Sequence, residues 1–150
     1  MGRNLAKDVK LLAAGAAITA ASNINSLGNA IDMTGFEGVM FIAPIEDCVA
    51  TGVATVQVEQ CDTSGGSYEA LAGDDVVLTS VADDDLNQKY VVIDIYKPRK
   101  QWVKLRRKSA TANIAYASAI AVLYGAQSRP TALGAIATAA RNLLVSPAAS

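Results

Sequence analysis

The chain has 150 residues, enough for one domain with a substantial apolar core that needs neither disulfides nor metals. It is 51% apolar and 18% charged with a formal net charge of -1, which excludes a disordered polyelectrolyte, and no apolar run reaches the roughly eighteen residues of a membrane helix. It has no histidine, so the commonest general base near neutral pH and the commonest transition-metal ligand are both missing, which argues against an enzyme.

The opening stretch, MGRNLAKDVKLLAAGAAITAAS, has the outline of a secretory signal. Asp8 interrupts its basic region and Gly15 and Thr19 interrupt its apolar one, so a cleaved signal is not expected; Ala6 stands where a myristoylation motif needs Ser or Thr. From there the dominant period is two, with β-branched and aromatic residues bounded by Gly, Asp, Asn and Ser clusters. That pattern predicts strands at 9–19, 36–45, 52–60, 75–80, 89–96, 101–108 and 113–124. The turn signals are DCVATG, DTSGGS, ADDDLN, KPRK and GAQSRP. Seven strands at this spacing without a long amphipathic helix predict a single all-β domain over 1–150, an antiparallel sandwich or barrel. Terminal arms of about 1–20 and 131–150, extended or short-helical, are poor in charge and are expected to lie on the domain or on a neighbouring subunit.

Hydrophobic register predicts two hairpins. If Cys48 faces Thr51, Phe41 opposes Val58, Ala43 opposes Val56 and Ile45 opposes Ala54 on an apolar face. Cys61 then lies roughly 33 Å along the strand from Cys48, too far for a bridge, so both thiols are expected free. In the second hairpin, with PRK as the loop, Asp94 faces Lys104 and Tyr96 faces Trp102.

Charge is segregated. Thirteen of the fourteen acids fall between Asp32 and Asp94 with Lys89 the one base among them, and nine bases with no acid follow from Lys97 onward. Seven of those bases sit in KPRKQWVKLRRK, around the chain's only tryptophan. A basic patch with an embedded aromatic can bind phosphates and stack a base, but in a domain that is acidic overall the expected reading is a solvated strand face or an interface with an acidic partner. The candidate interface residues are Lys97, Arg99, Lys100, Trp102, Lys104, Arg106, Arg107 and Lys108. Asp83, Asp84 and Asp85 lack the spacing of a calcium loop and read as a polar turn, and DTSGGSYE lacks the ending of a phosphate loop. No catalytic, cofactor or metal residues are assigned.

Through IDMTGFEGVMFIAPI, ATVQVEQCDTSGGSYEALAG, YVVIDIYKPRKQWVKLRRKSATANIAYASAIAVLYGAQSRP and the terminal VSP, the chain resembles the decoration or cement proteins of tailed bacteriophages, small virion structural proteins of jelly-roll type. The resemblance spans about Ile31 to Pro147. It implies a β-sandwich whose consecutive strands cross between sheets, and a protein made in the host cytoplasm. Such a protein binds the major capsid protein on the outside of the head as a dimer or trimer and reinforces the shell against internal pressure. It implies no nucleic acid, membrane, cofactor or small-molecule substrate. The rival readings are a nucleic-acid-binding β-domain, a sugar-binding jelly roll, and a tail or head-completion subunit.

Overall fold

A computed structural model describes residues 5–73 and 75–127, and it folds them into an antiparallel all-β sandwich. A single helical turn, α1 (Leu5–Asp8), leads into β1 (Lys10–Gly15), β2 (Ile18–Ala21), β3 (Asn25–Leu27), β4 (Ile31–Asp32), β5 (Gly38–Cys48) and β6 (Val53–Cys61). There follow β7 (Glu69–Ala70), β8 (Val76–Thr79), β9 (Tyr90–Tyr96), β10 (Trp102–Ala110), β11 (Ile114–Tyr116) and β12 (Ala119–Tyr124). The first sheet runs β1-β12-β5-β11-β2, with β9 on the far side of β5; the second runs β3-β10-β6-β7, with β4 also on β10 and β8 also on β6.

The longest strands switch sheets at each step: β5 lies in the first, β6 in the second, β9 in the first, β10 in the second and β12 in the first. Both expected hairpins are therefore corrected. Phe41 pairs with Ile93 and Ala121, whereas Val58 pairs with Leu105. Asp94 pairs with Met40 and Tyr96 with Gly38, whereas Lys104 pairs with Glu59 and Trp102 with Cys61. The inward faces were nonetheless chosen well: Phe41, Ala43, Ile45, Ala54, Val56 and Val58 are all buried. They meet across the sandwich instead of side by side, because alternation specifies which face is apolar and leaves the hydrogen-bonding neighbour open.

Val39, Val103, Leu105, Ile114 and Leu123 complete the core between the sheets, and each such aliphatic side chain contributes about 1.5–3 kcal/mol on burial. The expected strand over 9–19 divides into β1 and β2 at Ala16–Ala17, and that over 113–124 divides into β11 and β12 at Ala117–Ser118. Residues 10–15 and 18–20, placed in an N-terminal arm by composition, are thus built into the first sheet. Strands β3, β4 and β7 were not foreseen, since two or three residues cannot display an alternation. The C-terminal arm expected at 131–150 lies outside the described residues.

Candidate functional site

The basic stretch occupies one turn and one strand. Val103, Leu105, Arg107 and Ser109 point inward and are buried, while Trp102, Lys104, Arg106 and Lys108 are half-buried on the outer face of the second sheet. Strand period alone produces this split, so consecutive bases go to opposite sides.

On the outer face the bases are engaged locally. Arg106 clasps Glu59 through Nε at 2.8 Å and Nη2 at 3.1 Å, and its Nη1 donates to Asn25 at 2.6 Å. Lys108 donates to Gln57 at 3.3 Å, and Lys104 stands 4.5 Å over the ring of Tyr68. Lys100 pairs with Glu69 at 2.8 Å and with Asp62 at 3.8 Å, which holds the Glu69 carboxyl below its usual range and raises the Lys100 ammonium. Trp102 lies between Cys61 and Asp32. Lys97, in a left-handed turn conformation, leans on the ring of Tyr96, and exposed Arg99 makes no ion pair among the described residues.

Arg107 is separate from these. It is 1% exposed and reaches through the core to the first sheet, where Nη2 donates to the Ala16 carbonyl at 2.6 Å and Nη1 to the Ala117 carbonyl at 2.8 Å. Both carbonyls sit at the strand breaks described above, where the ladder leaves acceptors unpaired. Burial lowers its pKa from the ordinary arginine range, and the Tyr116 ring lies 5.6 Å from the guanidinium. Its role is to join the two sheets.

The three consecutive aspartates shape the β8–β9 loop. Asp83 accepts from the Ala50 amide at 2.8 Å, Asp84 from Asn87 at 3.2 Å, and Asp85 from Ser80 Oγ at 2.7 Å and the Val81 amide at 2.8 Å. The Ser80 hydroxyl and the Val81 amide hold the Asp85 carboxyl down at about 2. Among the described residues no group of three potential ligands is placed to hold a metal ion.

Two surfaces lay outside the sequence expectation. The outer face of the first sheet is apolar across three strands: Ile120 pairs with Ile42, which pairs with Val92, and Val122, Met40 and Tyr124 adjoin this row. Tyr90 is 67%, Tyr96 60% and Val92 51% exposed. Carboxylates border it: Asp94 accepts from the hydroxyl of Tyr124, whose ring lies over Gly38, Glu37 accepts from the hydroxyl of Tyr96 at 3.3 Å, and Glu46 is exposed towards the end of β5. The signal was present in VMFIAPI and AIAVLY, which are apolar in both alternating sets. The second surface is a cleft of about 680 Å³ between the edges of the two sheets, with Gln60, Lys97 and Arg99 in its lining.

No family model matches the chain, and no curated protein matches it. Among solved structures it is similar to the SPBc2 prophage-derived protein YomS, at 11% identity and a TM-score of 0.43, covering 77% of this chain and 92% of that one. It is also similar to a chain of infectious bursal disease virus Gx strain (14% identity, TM-score 0.48, 81% of this chain and 34% of that one). A chain of the Gt strain gives 9% identity and a TM-score of 0.42, over 77% of this chain and 31% of that one. The present chain spans about a third of the length of the two virus chains. With these TM-scores below 0.5, the likenesses carry no argument about function.

Proposed function

We propose that the chain is a non-enzymatic virion structural protein, a decoration or cement subunit that binds the outside of a bacteriophage head shell and assembles as a homo-oligomer. The observation that carries the reading is that the first sheet, across β12, β5 and β9, is largely apolar on its outer face as well as its inner one. An antiparallel sheet of a free-standing monomer normally turns a polar face to water. Here one face packs the core, and the other presents Tyr90, Val92, Tyr96 and Ile120 to solvent. A contiguous apolar sheet face of this kind belongs against another protein surface.

The resemblance to decoration proteins supplies the kind of assembly, and the sheet-crossing order of β5, β6, β9 and β10 agrees with the sandwich that resemblance implies. The reading does not rest on the solved-structure likenesses. On this reading the partner is the major capsid protein and the location is the capsid surface.

Electron microscopy of particles assembled with and without the full chain tests the proposal. Added density on the outside of the shell, with the first sheet's outer face covered, is the expected result. Density at the tail or head-completion site would overturn the shell role, and a particle lacking the chain would overturn the virion role.

A further inference from the structure

Along one side of the sandwich two strand edges lack partners among the described residues. Strand β9 pairs only with β5, and β7 and β8 pair only with β6. A free edge presents unpaired N–H and C=O groups at alternate residues. The cleft of about 680 Å³ lies between these edges, and Leu71, Val76 and Ile95 give it an apolar wall.

Gln60 marks the cleft as a place for a ligand. Its side chain is 7% exposed and faces this space from β6. Its amide oxygen Oε1 is buried with no hydrogen-bond donor among the described residues. A buried carbonyl without a donor is uncommon and calls for one from outside. At the mouth the lining carries two cations, Lys97 and Arg99, against one carboxylate, Asp94, which accepts from Tyr124, so its balance is positive.

We propose that this cleft binds an extended, apolar and carboxylate-bearing peptide segment of a partner protein, which adds as a strand to the free edge of β9. Main-chain groups of the segment pair with β9, alternate side chains enter the apolar wall, Gln60 Oε1 receives an N–H, and Arg99 receives the carboxylate in a two-pronged hydrogen bond. Charge selects this occupant over the chain's own C-terminal segment: residues 128–150 contain Arg129 and Arg141 and no acid, the wrong sign for a mouth made by Lys97 and Arg99. The site adjoins the apolar outer face of the first sheet, sharing Val92 and Asp94 of β9 with it, and its test does not depend on the shell-binding proposal.

The test is an amide-resolved NMR titration of the full chain with two end-blocked octapeptides, one alternating valine and glutamate and the other valine and lysine. The glutamate peptide is expected to shift the amides of residues 92–97 and the Gln60 side-chain amide, and to bind about tenfold more tightly than the lysine peptide. Arg99→Glu should reverse that preference, and Gln60→Leu should weaken the glutamate peptide while preserving the amide spectrum elsewhere. No shift with either peptide, equal affinity for both, or shifts confined to the Ile120 and Met40 face would overturn the proposal. So would binding that appears only after residues 128–150 are removed, or self-association through the same amides without any peptide. Because the titration uses the isolated chain, its failure leaves the microscopy result untouched, and the converse holds as well.

Discussion

Gly15 and Arg107 share one space: a side-chain carbon on the glycine would collide with Nη2 of the arginine, which donates at 2.6 Å to the next carbonyl, that of Ala16. The guanidinium is pinned at its other end by the Ala117 carbonyl, so it cannot swing aside without orphaning two buried acceptors. Gly15→Ala is therefore expected to cost about 1–3 kcal/mol in denaturant unfolding, far more than an alanine in an ordinary strand position. A variant as stable as the parent would show that Arg107 has another place to go.

Tyr116 shares the alkaline limb with Tyr124, which burial and the Asp94 carboxylate also push up to about 12. Tyr116 is fully buried, its hydroxyl donates to the Lys108 carbonyl at 2.6 Å, and burial pushes its pKa up to about 12 against the opposing pull of the Arg107 guanidinium. The folded value is above the unfolded value of about 10, so its contribution is complete below that pH and is lost as pH rises through 12. Tyr116→Phe should cost about 1 kcal/mol at neutral pH for the lost hydrogen bond and should make the fall in stability above pH 10 shallower, leaving the part due to Tyr124. Chemical denaturation across pH 8 to 12 measures both.

Both cysteines are buried and free, Cys48 at the end of β5 in the first sheet and Cys61 at the end of β6 in the second. The Cys48 sulfur accepts from the Leu86 amide at 3.3 Å. Alkylation of the native chain should be slow, and unfolding without a reductant should expose two reactive thiols to mass spectrometry. An internal disulfide in that experiment would contradict the fold.

On the outer face of the first sheet, Val92→Lys combined with Ile120→Lys should abolish the proposed self-association in sedimentation while leaving the unfolding free energy of the single chain within about 0.5 kcal/mol per site. Each residue projects away from the core, so the charges cost little until a second surface covers them. Undiminished association would place the oligomer contact elsewhere.

The full chain is expected to bind DNA no more tightly than micromolar at about 150 mM salt. Arg106, Lys100 and Lys108 are held by Glu59, Glu69 and Gln57, and releasing them to phosphates would break those contacts. Fluorescence anisotropy with duplex and single-stranded DNA gives the answer, and a submicromolar complex with a steep salt slope would restore the nucleic-acid reading.

What the sequence determined by itself is the place of the longer strands and their inward faces. Apolar runs such as VMFIAPI and YVVIDIY place strands within a few residues of their observed ends, and the alternation of ATVQVEQ identifies Ala54, Val56 and Val58 as core, because alternation is a property of a single strand. Only the tertiary structure decided which strands are neighbours. Tyr96 and Trp102 are six residues apart and yet belong to different sheets, since a short connection can either turn back beside its strand or cross the sandwich, and both routes bury the same apolar set. The structure likewise decided the fate of each base in KPRKQWVKLRRK: Arg106 meets Glu59, 47 positions away, and Arg107, 91 positions from Ala16, fills a gap that exists only because β1 and β2 break where β11 and β12 do. Such pairings depend on distances through the fold, which no local pattern encodes.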